Sequence, residues 1–185
     1  MSTESDEAAR HARISSDIVS IAATVIALIA LGTAVYQAKL MRDQAKASVW
    51  PYLIQGNSGE HGYARIVQNV GVGPAIIRAF EVRVDSVAVT NWRQVADSLH
   101  IQPSWRAVAT TTFRPGFVVP TNTTIDLIDV PDTNDIRLFR SRIDHLDTRV
   151  CYCSLYGDCW WLETPDFDPK PTKQCVDNPA RRWKD

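Results

Sequence analysis

One stretch near the N-terminus constrains the architecture more than any other part of the chain. The residues from Ile18 to Ala38 include no Asp, Glu, Lys, Arg or His and consist mainly of Ile, Leu, Val and Ala. An α-helix rises about 1.5 Å per residue, so this stretch covers about 30 Å, the thickness of the hydrocarbon core of a bilayer. The sequence therefore predicts a transmembrane helix over residues 18–38, with the lipid bilayer as its partner.

Two other structures contain apolar stretches, and both fit this one less well. A buried core helix is usually shorter and has a polar stripe, whereas the polar residues here are few and uncharged. A cleaved signal peptide could use Gly32 and Ala34 as the small residues of its cleavage site. However, the preceding segment is long and contains acids as well as bases, and strong helix formers continue up to Ala47. We therefore expect an uncleaved anchor that continues into a helical stalk over residues 39–48.

Two signals for the orientation of the anchor disagree. Arg10 and Arg13 precede the span, and Lys39, Arg42 and Lys46 follow it, which by count slightly favours a cytoplasmic C-terminus. The cysteines favour the opposite orientation, because an even number in a turn-rich, proline-containing segment is typical of disulfides formed in an oxidising compartment. We expect a cytoplasmic N-terminus and an extracytoplasmic C-terminal domain. A cytoplasmic domain with reduced cysteines is the alternative.

The four cysteines are Cys151, Cys153, Cys159 and Cys175. In a strand, Cys151 and Cys153 lie on the same face, two residues apart, where they are badly placed to bond each other. Cys153 and Cys159 flank a turn and could pair across a hairpin, which leaves Cys151 for Cys175; the other pairings remain open. Zinc ligands usually form two close pairs with about two to four residues between pair members, so this spacing favours disulfides.

Changes in composition divide the rest of the chain. Residues 1–17 are polar and charged, and we expect a disordered tail there. Pro51 ends the stalk helix, so a β-sandwich domain is expected over residues 49–162. Several prolines indicate an extended C-terminal tail over residues 163–185. The glycine-rich segment from Asn69 to Ala75 separates two β-like runs and predicts a bent or bulged hairpin.

Two short helices are predicted in the connections between strands. Asn91 can cap the first helix, whose apolar stripe contains Trp92, Val95, Ala96 and Leu99. The second helix begins after Pro131, and its apolar side contains Ile136, Phe139, Ile143 and Leu146. The remaining short, alternating runs with turn signals between them predict a mainly β fold, an immunoglobulin-like β-sandwich.

Composition and motifs argue against several functions. The formal net charge of -1 gives no excess of cations for a phosphate backbone, so we expect no nucleic-acid partner. The sequence lacks a Gly-x-Ser-x-Gly motif, a phosphate-binding glycine-rich loop before a helix and a His-Glu-x-x-His motif. The histidines are far apart, without a second ligand at the spacing of a metal site. We therefore predict no catalytic, cofactor-binding or metal-binding residue and no enzymatic activity.

The predicted anchor has one helical face of small residues. Small residues on a transmembrane helix let a second helix approach closely, so this face could support a homodimer. The alternative is ordinary alanine content in a helix that faces lipid. The residues of this packing face are Ala23, Ala27, Ala30 and Ala34.

Five short motifs follow the span along most of the chain. They are Trp50-Pro51-Tyr52, Asn69-x-Gly71-x-Gly73-Pro74-Ala75, Arg114-Pro115-Gly116, Cys151-Tyr152-Cys153-Ser154 and Cys159-Trp160. With the N-terminal span, they resemble a group of uncharacterised small bacterial single-pass membrane proteins with a C-terminal immunoglobulin-like β domain. The resemblance implies a bacterial source and a β-sandwich outside the inner membrane. It implies no activity and transfers no catalytic residue.

Three functional hypotheses follow. The first is a membrane-tethered, non-enzymatic interaction or accessory module that presents a disulfide-bonded β domain outside the cytoplasm, with another protein as its partner. The second is a thiol-disulfide protein that uses Cys151 and Cys153, because close thiols can exchange disulfides. The third is a membrane sensor that faces the cytoplasm and keeps its cysteines reduced.

Overall fold

The structure, a computed structural model, describes residues 3–58, 62–101, 109–131, 134–164 and 168–184. The chain forms two compact units, residues 1–47 and residues 48–185. The first unit is a single α-helix and the second is a β domain with two short helices.

Helix α1 (Thr3–Ala47) forms the whole first unit. Its part from Asp17 to Ala47 is long and apolar enough to cross a membrane, and its apolar side chains are exposed among the described residues. The helix continues through the predicted stalk. It also extends through residues 3–17, where the sequence predicted a disordered tail. This segment contains Glu, Ala and Arg, which favour helix, and extending an existing helix costs far less than nucleating a new one.

The β domain contains ten strands and two helices within the described residues. The strands are β1 (Leu53–Ser58), β2 (Gly62–Asn69), β3 (Ala75–Val84), β4 (Val87–Val89), β5 (Ala109–Thr110), β6 (Val118–Val119), β7 (Thr123–Pro131), β8 (Leu146–Cys153), β9 (Cys159–Glu163) and β10 (Lys170–Thr172). The helices are α2 (Trp92–Ser98) and α3 (Asn134–Arg142).

These strands form two sheets, in which the pairs are antiparallel. The first sheet has the order β1-β2-β7-β5, and the second has the order β10-β9-β8-β3-β4, with β6 also paired to β3. Apolar side chains from both sheets form one core, because alternate residues of a strand point to the same face. Gln55 of β1 also bridges the sheets, since its Nε2 donates to the Leu162 carbonyl of β9 at 3.3 Å.

The predicted hairpin at Asn69–Ala75 is wrong, because the two strands that it joins belong to different sheets. Strand β2 pairs with β1 and β7, whereas β3 pairs with β8, β4 and β6. The segment is therefore a crossover between the sheets. Neither Gly71 nor Gly73 has a positive φ. Both are glycines because the backbone of residues 49–52 passes too close for a side chain.

The prediction of an extended C-terminal tail is only partly correct. Strand β10 extends the second sheet by pairing with β9. Farther along, Trp183 is only 3% exposed and is part of the core. Its ring contacts those of Phe80 and Trp92, with centroids 5.6 and 5.0 Å away. A large aromatic side chain buries enough apolar surface to hold a proline-rich segment against the domain.

The two helices follow the predicted apolar patterns, with one difference in length. The Asn91 side chain caps α2 by accepting a hydrogen bond from the Gln94 amide at 2.8 Å. Helix α3 ends at Arg142, although the apolar pattern predicted helix up to Leu146. A single 3₁₀ turn follows, and Leu146 is buried as the first residue of β8. The predicted helix was too long because Leu146, a buried strand residue, has the same spacing as the apolar residues of α3.

A buried phenol makes the β domain sensitive to alkali. Burial raises the pKa of Tyr63 to about 12 from its ordinary value of 10.0, while Arg65 acts in the opposite direction. The fold therefore favours the neutral phenol, and that stabilisation is complete below pH 10 and is lost as the pH rises towards 12. We expect Tyr63 to account for about 2 kcal/mol of the fall in the free energy of unfolding, measured with urea, over this range. The Tyr63→Phe variant should show a smaller fall, and an equal fall would contradict this cause.

Candidate functional site

Three connecting segments meet at one end of the β domain. Strand β1 begins at Leu53, which lies opposite Asn69, the last residue of β2. Strand β3 begins at Ala75, and its second residue, Ile76, lies opposite Cys153, the last residue of β8. The residues before β1, the crossover between β2 and β3, and the turn between β8 and β9 therefore lie at the same end. We call it the entry end, because the chain enters the β domain there from α1.

The entry end exposes large apolar and aromatic side chains. Within these three segments, five described side chains are 46% to 65% exposed: Trp50, Val70, Val72, Leu155 and Tyr156. Single exposed apolar residues are common on soluble proteins, but a group of them at one place usually marks an interaction surface. The entry end is therefore the candidate functional site.

Hydrogen bonds hold the crossover against the residues that precede β1. The amides of Val72 and Gly73 donate to the Trp50 carbonyl at 3.0 and 3.2 Å, and the Val70 amide donates to the Tyr52 carbonyl at 2.9 Å. The Trp50 ring also meets the Tyr52 ring edge to face, with centroids 5.4 Å apart. Exposed side chains on a fixed backbone lose less conformational freedom on binding, so this part of the site is preorganised.

Asn69 organises the crossover from inside. It is fully buried, and its Nδ2 donates to the carbonyls of Gly73 and Val119 at 2.9 and 3.0 Å. Its Oδ1 accepts from the amides of Gly71 and Tyr52 at 3.0 and 3.3 Å. The side chain therefore satisfies four backbone groups around the crossover.

The β8–β9 turn, residues 154–158, presents Leu155 and Tyr156. The Ser154 hydroxyl accepts from the amides of Tyr156 and Asp158 at 3.2 and 3.3 Å, and Gly157 supplies the positive φ of 82° that the turn requires. A disulfide between Cys153 and Cys159 closes the turn at its base. The turn is thus fixed by hydrogen bonds and by a covalent bond.

Two disulfides lie side by side behind this turn. Cys153 bonds Cys159, and Cys151 bonds Cys175; these are the pairs that the strand pattern favoured in the sequence. Cys151 and Cys153 thus each have another partner and are not bonded to each other, and a thiol-disulfide activity of these two cysteines stays a prediction. The Sγ atoms of Cys153 and Cys175, which belong to different disulfides, are only 3.8 Å apart.

The same sulfurs are the described group whose geometry could suit a metal ion. The Sγ atoms of Cys153, Cys159 and Cys175 lie within 4.8 Å of one another. A metal requires thiolates, however, and in the structure all three sulfurs are engaged in disulfides. In the disulfide form, the cluster therefore has no thiolate that could bind a metal ion.

The predicted packing face of the anchor is exposed along α1. The side chains of Ala23, Ala27, Ala30 and Ala34 are exposed. A second copy of the helix at this face stays a prediction.

The motifs and patterns of the sequence did not indicate a site at the entry end. Val70 and Val72 alternate with glycine in the crossover, and Leu155 and Tyr156 lie in a turn, where apolar residues are unusual. That combination was the available signal. No protein-family model matches the chain, and neither the curated proteins nor the solved structures include a match to it.

Proposed function

We propose that this chain is a single-pass membrane protein whose β domain is a non-enzymatic interaction module for another protein. The observation that carries the proposal is the group of exposed apolar side chains at the entry end of a domain that is otherwise well packed. Apolar side chains on a preorganised surface are the usual centre of a protein interface.

The strand order supports an immunoglobulin-like sandwich. In an immunoglobulin constant domain, four strands form a sheet with the order A-B-E-D, and strands G, F and C form the other. Here β1-β2-β7-β5 corresponds to the first sheet and β9-β8-β3 to the second. The crossover then corresponds to the B–C loop and the β8–β9 turn to the F–G loop, two loops that bind partners in variable domains. The disulfides differ from that family, because neither joins the two sheets.

The membrane position is part of the same proposal. Helix α1 crosses the membrane through residues 18–38, and the disulfides indicate an oxidising compartment, so the N-terminus is cytoplasmic and the β domain extracytoplasmic. The resemblance noted in the sequence implies the inner membrane of a bacterium. Two residues, Ser48 and Val49, separate the end of α1 at Ala47 from Trp50, so at most about 11 Å of chain joins the stalk helix to the entry end. A partner that is itself bound to the membrane can reach a site tethered this closely, and we propose a partner of that kind.

Site-specific photo-crosslinking of the full chain in intact cells tests this function. A photo-crosslinking amino acid at Val72 should give a protein adduct of defined mass, because Val72 lies in the proposed interface. The matched control is Val87, which is 66% exposed, against 65% for Val72, and is the first residue of β4, opposite Val84 at the other end of the domain. It should give no such adduct.

The adduct should sediment with membranes and be released by detergent. Equal adducts from both positions, or adducts to lipid alone, would contradict a protein interface at the entry end. Full-length protein in the supernatant without detergent would contradict the anchor. A Tyr156→Ser substitution should weaken the Val72 adduct, since it removes an exposed aromatic contact without affecting the core.

A further inference from the structure

We infer that the two adjacent disulfides exchange: Cys153 changes its partner from Cys159 to Cys175 when a small thiol opens the first bond. The juxtaposed Sγ atoms of Cys153 and Cys175 carry this inference. It goes beyond the proposed function and does not depend on a partner protein.

The sulfur of Cys153 has an unusually close second partner. Its Sγ lies 3.8 Å from the Sγ of Cys175, and those two sulfurs and the sulfur of Cys159 are all within 4.8 Å of one another. Cys153 is buried, so a thiolate released there meets the Cys175 sulfur before it meets a second thiol from solvent. Such an intramolecular attack has a high effective concentration.

The exchange conserves bonds and charge. A small external thiolate attacks the Sγ of Cys159, forms a mixed disulfide there and breaks the Cys153–Cys159 bond, so Cys153 leaves as a thiolate. The Cys153 thiolate then attacks the Sγ of Cys175, and the Cys151–Cys175 bond breaks. Cys151 leaves as a thiolate and takes a proton from solvent. Each step consumes one thiolate and one disulfide and produces one of each.

The exchange would change both the tail and the entry end. The attachment point of Cys175 would move two residues along β8, about 6.7 Å at the rise of a strand. At the same time, the turn with Leu155 and Tyr156 would lose the disulfide at its base. A redox event at the cysteines would in this way alter the exposed apolar surface.

A Cys159→Ser variant tests the second step directly, because it leaves Cys153 as a thiol beside the intact Cys151–Cys175 bond. Exchange is stopped with acid, the free thiol is labelled with N-ethylmaleimide in denaturant at mildly acidic pH, and fragment ions on either side of Tyr152 distinguish label on Cys151 from label on Cys153. Exchange predicts label on both residues. Label on Cys153 alone would overturn the inference.

Two further measurements distinguish exchange in the folded domain from scrambling. The Cys153→Ser/Cys159→Ser double variant keeps Cys151–Cys175 and should take up no label, which shows that the tail bond forms without its neighbour. In an unfolded chain, Cys151 and Cys153 can bond each other and leave Cys175 free, whereas the strand geometry prevents this bond in the folded domain. Label on Cys175 in the single variant would therefore contradict exchange within the fold.

The wild-type protein provides the complementary experiment, and it does not rely on a substituted chain. It is treated briefly with glutathione, quenched with N-ethylmaleimide and mapped. Molecules that have glutathione on Cys159 should have the label on Cys151. Glutathione on Cys159 together with the label on Cys153 would show that the released thiol does not attack Cys175, and the inference would fail.

Discussion

Replacement of Gly73 by alanine should lower the free energy of unfolding by about 3 kcal/mol or more. A Cβ atom at Gly73 would lie 1.8 Å from the carbonyl oxygen of Val49 and 2.2 Å from its carbonyl carbon. These are backbone atoms, so no side-chain rotation can relieve the overlap, and either the crossover or the segment of residues 49–52 must move. Urea unfolding of the wild type and the variant measures the difference from the transition midpoint and slope.

The matched control is Gly56→Ala in β1. A Cβ atom there would meet the Ile66 side chain at 3.7 Å, an ordinary van der Waals contact. The change should leave stability within about 1 kcal/mol of the wild type, because alanine also reduces the freedom of the unfolded chain. Similar losses from both substitutions would mean that the close approach at Gly73 does not determine its identity.

Replacement of Asn69 by aspartate should cost about 3 kcal/mol. The two side chains have the same shape, but aspartate lacks the Nδ2 donors that satisfy the carbonyls of Gly73 and Val119. Two buried carbonyls lose their partner, and each unsatisfied group costs about 1 to 3 kcal/mol. A carboxylate facing those carbonyls would add repulsion. Urea unfolding at neutral pH provides the measurement.

Gln68→Glu is the control for the charge itself. Gln68 is the preceding residue of β2, is half-buried and points to the opposite face of the strand. The same amide-to-carboxylate change there should alter stability by less than about 0.5 kcal/mol. If Asn69→Asp were equally harmless, the four hydrogen bonds of Asn69 would not be what holds the crossover together.

Local signals in the sequence predicted the local structure well. The uncharged stretch from Ile18 to Ala38 lies in one helix, Asn91 caps α2, and the predicted apolar stripe with Trp92 and Val95 is the buried side of α2. Each of these signals depends on residues that are close together in the chain. Helical and strand periodicities are local properties, so they can be read without the tertiary structure.

Features that depend on distant residues were not predictable in the same way. The glycines of the crossover suggested a turn, but the backbone that requires them is that of residues 49–52. Trp183 lies in a polar, proline-containing segment, and nothing near it in the chain indicates that Phe80 and Trp92 form its site. Contacts with distant parts of the chain determine both the glycines of the crossover and the burial of Trp183.

The candidate site combines both kinds of information. Strand geometry alone favoured the pairing of Cys153 with Cys159, because the two residues flank a turn. The 3.8 Å approach of Cys153 to Cys175 depends on where the tail docks, which the sequence does not show. The exposure of Val70, Val72, Leu155 and Tyr156 is likewise a property of the folded domain, since apolar residues are buried in most contexts.

The burial of Trp183 has a consequence for how the protein is made. Synthesis proceeds from the N-terminus, so α1 and all ten described strands are made before the ribosome reaches this tryptophan. Until then, the ring of Trp183 does not cover Phe80 and Trp92, and the nascent domain exposes an incomplete core that is prone to aggregation. The hydrophobic interior of this domain is therefore complete only after Trp183 has been synthesised and has left the ribosome.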